Sequence, residues 1–279
     1  MRQFFRHQIA AWALTAALAL TLQAADGVIE INQAIVEANG GFPYVISEPG
    51  SYTLSGNLTV PDENTNAIEV EAPDVTVDLN GFAIIGPVKC LSFNTRGNGT
   101  VSCSPEGTGI GVLASSAFPT VVRNGTVRGM GSAGVVITFG HVEGVRALEN
   151  GNRGIFFEQS GVIRNCLVEL NGEVGIFVLD AGAVVEHNIA RFNPEGGIIL
   201  AGGGVVRGNA SDSIFATNSV VLENWIENEL NLQDSSGYAG NVIDGVVTAG
   251  QQSQPIGCNL IGGTLVCPEG GAVQGASGP

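Results

Sequence analysis

Apolar residues in the middle of this chain come in short runs, and the runs recur. Gly134-Val135-Val136-Ile137, Gly154-Ile155-Phe156-Phe157, Gly175-Ile176-Phe177-Val178 and Gly197-Ile198-Ile199-Leu200 begin 20, 21 and 22 residues apart. A second apolar pair follows each: Val142 with Val145, Val162-Ile163, Val184-Val185 and Val205-Val206, flanked by Val121-Val122 before and Val220-Val221 after. Short runs rich in Val, Ile and Phe, punctuated by Gly and Asn, are strand-and-turn chemistry, and no segment of the repeat is long enough for a helix. A unit this small cannot bury its own apolar face. Successive units are therefore expected to stack into one continuous core, with the four glycines aligned along its axis.

Polar positions keep the same period. Asn150, Asn171 and Asn193 each lie four residues before a repeat glycine, and Asn188, Asn209, Asn224 and Asn241 form a second set. Asparagine tolerates left-handed backbone at a sharp corner, and its amide can bond to the copies above and below, so both sets predict turn ladders. Asp78, Arg123, Glu143, Arg164, Glu186 and Arg207 take corresponding strand positions and alternate in sign. Parallel strands put such neighbours about 4.8 Å apart, where opposite charges help to fix register.

The segments Val75-Thr76-Val77-Asp78-Leu79-Asn80-Gly81-Phe82 and Val122-Arg123-Asn124-Gly125-Thr126-Val127-Arg128-Gly129, followed by the glycine repeats, resemble bacterial right-handed parallel β-helix proteins of the pectin-lyase-like superfamily. The resemblance spans roughly residues 44 to 245. It implies an all-β fold, a single-stranded right-handed parallel β-helix. It leaves function open, because that scaffold hosts lyases, hydrolases, epimerases, adhesins and proteins without catalysis.

The two ends read differently from the repeat. Residues 1–25 have Arg2 and Arg6, an apolar run from Ile9 to Leu22 and a small-residue site at Gln23-Ala24-Ala25, which together predict a secretory signal peptide. Residues 26–43 form an N-terminal cap, in which Ile31, Ala34, Ile35 and Ala38 follow helical spacing and stop at Gly40-Gly41. The β-helix is assigned to 44–250, with residues 88–107 as an inserted loop, 251–267 as a C-terminal hairpin and 268–279 as a disordered tail. In a secreted chain Cys90 and Cys103 should pair across the insertion. Cys258 and Cys267 flank a hairpin with a Gly262-Gly263 turn and should pair as well. Cys166, in register with Asn188, is left as a small core residue.

Composition narrows the classes. Only 13% of the 279 residues are charged and 41 are glycine, which excludes a charge-coated helical protein, while the glycines lack the three-residue period of collagen. At 44% hydrophobic residues and a mean hydropathy of +0.27 the chain is not disordered. The net charge is −15. Losing Arg2 and Arg6 with the signal peptide leaves nine basic against 26 acidic residues, a net −17. Nucleic acid and anionic membrane are excluded as partners, and the mature part contains no membrane span.

Candidate chemistry is sparse. Glu158 and Asp180 fall on successive units with Arg153 nearby, the one trio that could serve a polysaccharide lyase or glycoside hydrolase. Their offsets from Gly154 and Gly175 are four and five, so they are not equivalent positions. The Asn-Thr-Asp, Asp-Asp, His-Gly and Arg-x-Lys patterns of polygalacturonases are missing, as is the Asp-Pro-His pattern of alginate epimerases. His141 and His187 are isolated, so no metal set and no cofactor are expected. Strand alternation instead sends Val136, Phe156, Phe177 and Ile199 outward on one face, an apolar stripe suited to binding. Either the stripe is an exposed interaction face, or the insertion or the tail covers it, or phase shifts bury it. The expected function is a secreted or periplasmic non-catalytic module, binding or structural, with a polysaccharide or a protein surface as partner. The alternative is a lyase or hydrolase acting on an extracellular polymer, and oligomeric state is left open.

Overall fold

The computed structural model describes residues 27–92, 100–115 and 118–268. The signal peptide expected at 1–25, and all of the expected tail beyond Pro268, lie outside the described residues. Among those described, no helix is long and apolar enough to cross a membrane.

The chain winds as a parallel β-solenoid of about 11 turns. One lap consists of three short strands, for example Arg153–Phe157, Gly161–Arg164 and Leu167–Glu169. Each strand pairs in parallel with its equivalents in the laps before and after, which generates three faces, here called sheets 1, 2 and 3 in that order. In two places the chain passes from sheet 2 to sheet 3 within one long strand, Thr120–Arg128 and Gly140–Leu148.

Alternation fills the interior. On sheet 1, Val135, Ile155, Ile176, Ile198 and Ile214 stack in register and are all fully buried. On sheet 2 the inward column includes Tyr52, Val77, Val122, Val142, Ile163, Val185, Val206, Val221 and Tyr238, with a buried tyrosine near each end and Ile29 and Pro255 as the outermost members. Branched residues suit this setting because their restricted side-chain rotation costs little on a pleated, buried strand.

The repeat glycines do line up. A Cβ on Gly134 would lie 2.7 Å from the Gly154 carbonyl oxygen and 2.9 Å from Asn150 Nδ2, and one on Gly175 would lie 2.6 Å from Gly197 O and 2.7 Å from Asn193 Nδ2. The glycine column and the asparagine ladder therefore require one another.

Both ladders form. Asn150 N–H and Nδ2 donate to Asn171 Oδ1 at 3.1 and 2.9 Å, and the second ladder runs from Asn188 through Asn209, Asn224 and Asn241 by the same paired bonds. It continues to Asn259, whose Oδ1 accepts from Asn241 N–H and Nδ2 at 3.0 and 2.9 Å. A third ladder, of serine hydroxyls, links Ser219, Ser236 and Ser253. The left-handed geometry expected of the ladder asparagines belongs to the residue before each of them: Glu149, Leu170 and Phe192 in one ladder, His187, Gly208, Glu223 and Gly240 in the other, all at φ between 53° and 68°. The corner turns on that residue, which leaves the asparagine free to point inward.

The charge column also forms. Arg123 pairs with Asp78 at 2.9 Å, Arg164 with Glu143 at 3.0 Å and Arg207 with Glu186 at 2.7 Å. Cys166 is buried, its N–H donates to Asn188 Oδ1, and burial pushes its thiol pKa up to about 12, so it is a packing residue.

At the N-terminus a helix covers the open core, Gln33–Ala38, with Asn32 capping it through the Ile35 N–H. Its phase differs from expectation. Ile31 ends the preceding strand, Val28–Ile31, and Val36 is the helix residue that is fully buried. The insertion is an antiparallel pair, Lys89–Ser92 with Val101–Ser104, closed by the Cys90–Cys103 disulfide. At the C-terminus Asn259–Ile261 still pairs in parallel with Val242–Ile243 before the chain reverses through Gly262-Gly263 into Thr264–Val266, and Cys258 bonds to Cys267.

Candidate functional site

Sheet 1 carries the outward column. Val136, Phe156, Phe177, Ile199, Phe215 and Asn231 occupy one register position on six successive laps. Each is fixed by strand pairing, and the sheet below it is packed on both faces of its own inward column, so the surface is rigid.

In the first half of the column an arginine lies over the half-buried rings. The Phe156 and Phe177 rings stack with centroids 5.4 Å apart at 14°. Arg153, at the start of its strand, folds its guanidinium over both, 4.8 and 5.0 Å from the two centroids. Cation–π attraction and the aliphatic stem of the arginine shield these rings. Val136 is only 8% exposed. The described part of the insertion lies at the corner between sheets 3 and 1, beside Gly131, Gly151 and Gly172.

The second half is equally half-buried but has no arginine over it among the described residues. Where Arg153 stands two laps earlier, this lap has Gly196, and the Phe215 ring lies against it: a Cβ there would be 3.2 Å from Phe215 Cε2. Ile199, Phe215, Thr217, Asn231 and Gln233 line a groove of about 210 Å3. A second cleft of about 360 Å3, lined by Gln233, Asp234, Gln251 and Gln252, shares Gln233 with it. Asn231 Nδ2 donates to Glu229 Oε1 at 3.1 Å and Ser235 Oγ to Gln252 Oε1 at 2.8 Å, so two of the amides are held in place. An aromatic face flanked by amides can take the apolar face of a sugar ring while bonding its hydroxyls.

Phe215, Asn231, Gln233 and Gln252 are absent from the sequence-level candidates. The lap carrying Phe215 is short, with Ile214 following its stacking partner Ile198 after 16 residues, so the glycine phase is lost there. The alternation Leu230-Asn231-Leu232-Gln233 was the available signal.

Arg153 is set apart from the two carboxylates, Glu158 and Asp180, which lie on neighbouring laps one residue out of register. Arg153 opens its strand and Glu158 follows its end, roughly 17 Å of extended chain away. Glu158 Oε2 accepts from Thr138 Oγ1 at 3.1 Å, and Asp180 Oδ1 accepts the N–H of Ala181 at 2.8 Å. Leu179, not Asp180, takes the place of Glu158 in the next lap, since Leu179 N–H bonds Phe157 O as Glu158 N–H bonds Ile137 O. His141 has its pKa lowered by burial and then by Arg164. No group of three or more His, Cys, Asp or Glu that could hold a metal occurs among the described residues.

Comparison with known proteins gives three results. No curated protein sequence matches the chain. Among solved structures it is similar to the enzymatically active domain of tailspike protein 2 of bacteriophage CBA120, at 13% identity and a TM-score of 0.39, over 81% of this chain and 40% of that one. The family described as "Right handed beta helix region" matches residues 66–219, more than half of the sequence and the laps that build the stacked core, so the chain belongs to the right-handed β-helix family.

Proposed function

We propose that this protein is an extracellular glycan-binding module, a rigid right-handed β-helix that holds a polysaccharide along sheet 1 without cleaving it. One observation carries the reading: the groove at Phe215, where an aromatic ring resting on Gly196 is bordered by Asn231 and Gln233 and continues to Gln252. Binding sites of this kind combine an apolar platform with a few placed polar groups. Two disulfides fit a chain that folds outside the cytosol. The polymer lies across several laps, so its affinity is the sum of weak contacts on a surface that needs no ordering.

The test is a panel of extracellular polysaccharides, read both by retention in affinity electrophoresis and by release of reducing or unsaturated ends. Retention that is lost in Phe215→Ser, with no product released, supports the reading. Product release that disappears in Glu158→Gln or Asp180→Asn would replace it with a lyase or hydrolase working through those residues and Arg153.

A further inference from the structure

Sheet 2 turns two columns outward, side by side. Val121, Val162, Val184 and Val205 hold one register position, with Thr76 before them and His141 among them. Two residues further along the same strands stand Asp78, Arg123, Glu143, Arg164, Glu186 and Arg207. The residues between the columns, Val77, Val122, Val142, Ile163, Val185 and Val206, are fully buried, so alternation points both columns away from the core. The four outward valines are half-buried.

On sheets 1 and 3 an arginine lies over outward rings: Arg153 over Phe156 and Phe177, Arg191 over Trp225. On sheet 2 the arginines lie along their own column instead. Arg123, Arg164 and Arg207 each pair with the carboxylate of the lap before, at 2.9, 3.0 and 2.7 Å. Each gives one N–H to that pair, out of five that a guanidinium carries. Three acids and three arginines sum to zero, in a chain of net charge −15. This strip can face a second copy without net repulsion, and charge elsewhere is screened beyond about 8 Å at physiological salt.

Six alternating charges read backwards are the same six with every sign exchanged. A two-fold axis along the strands, between the laps of Glu143 and Arg164, reverses the lap order of a second copy and sets each column over itself. Asp78 of each copy then meets Arg207 of the other, Arg123 meets Glu186 of the other, and Glu143 meets Arg164 of the other. Beside them Val121 faces Val184 of the other copy, with the two sheets about 10 Å apart. One more lap at each end sets Ser51 and Thr53 over Val220 and Leu222 of the other copy.

We infer that two copies of this chain pair face to face through sheet 2, antiparallel about that two-fold axis. Eight laps of four-residue strands make a contact about 38 Å long and 13 Å wide, roughly 1,000 Å2 of flat surface counted on both copies. Specific interfaces begin near that size, so the dimer is one that dissociates on dilution. The inference does not rest on glycan binding. Sheet 1 stays free, and each dimer presents two Phe215 grooves.

The experiment is sedimentation equilibrium of the full chain over a wide concentration range. The expected result is a mass that rises with concentration from one chain to two. Arg207→Asp sets like charges against each other at both ends of the contact and should weaken the dimer about tenfold or more. Asp78→Arg combined with Arg207→Asp should restore it. Those two residues are five laps apart in one chain, roughly 24 Å, so restoration arises only between copies. Val184→Glu should leave a monomer that keeps its β-sheet spectrum. A single-chain mass at every concentration, a dimer indifferent to Arg207→Asp or to Val184→Glu, or a double variant no better than the single one overturns the inference.

Discussion

Asn171 donates twice to Asn193: its backbone N–H and its Nδ2 both reach Asn193 Oδ1, at 3.1 and 3.0 Å, while Nδ2 also bonds the Ala147 carbonyl at 3.1 Å. Asn171 Oδ1 in turn accepts the same pair from Asn150. One fully buried side chain thus satisfies groups on three laps. Asn171→Ala would orphan the Asn150 donors, the Ala147 carbonyl and one Asn193 acceptor, at a cost of about 2 to 4 kcal/mol. A urea midpoint unchanged from the parent would refute the ladder as a stabilising element.

Gly154 faces the same ladder. A methyl group there would lie 2.9 Å from Asn171 Nδ2 and 2.8 Å from Gly175 O, and would press on Val168. Gly154→Ala is expected to lower stability by about 1 to 3 kcal/mol, seen as a fall in Tm of several degrees. Gly262→Ala, in open space at the C-terminal turn, is the control for backbone strain without crowding.

Asp212 ends the first ladder. The Phe192 N–H donates to its carboxylate, and burial, with the nearby Glu227, raises its pKa from 3.8 to about 6 against the lowering effect of that bond, of the Asn193 N–H and of Arg191. Because the folded pKa lies above the unfolded one, the fold favours the protonated acid. The cost is absent below about pH 4, grows between pH 4 and 6, and is complete above pH 6. Asp212→Asn extends the ladder without the charge. It should be more stable than the parent by roughly 1 to 3 kcal/mol at pH 7.5 and no different at pH 3.5. Denaturant titrations at the two pH values decide it; a variant equally stable to the parent at pH 7.5 refutes the charge penalty.

Arg153 covers two aromatic rings. Arg153→Ala removes the cation–π contacts and the covering stem, for a loss of about 1 kcal/mol, and leaves Phe156 and Phe177 open to water. The variant should sediment as a larger species or bind a hydrophobic dye more strongly than the parent. Unchanged sedimentation and dye binding would mean that the rings are shielded by something else.

The fold was legible because its signal is repetitive. Gly134, Gly154, Gly175 and Gly197 mark the lap, and the asparagines that they accommodate mark its corners. What was missed lies where the lap changes length. The serine ladder and Asn259 fall after the spacing has shrunk, and Phe215 follows a lap in which the corner is compressed into one bulged strand, Ala210–Thr217. Periodicity also could not place Arg153: it identified two outward phenylalanines but not the long side chain from the strand's start that folds back over them. The helix phase was misread because Ile31 continues the apolar spacing while belonging to a strand.

The three ladders do not share a corner, and each begins at a different lap. Stacked side-chain amides begin at Asn150, pass to a second corner from Asn188 and are joined at the third by serines from Ser219, whereas the laps before Asn150 are bridged by separate side-chain bonds, such as the Ile110 N–H to Asn66 Oδ1 and the Arg123–Asp78 pair, besides strand pairing. The rod is therefore expected to differ between its two halves: the one with continuous buried seams should resist peeling longer than the one whose polar bridges are separate.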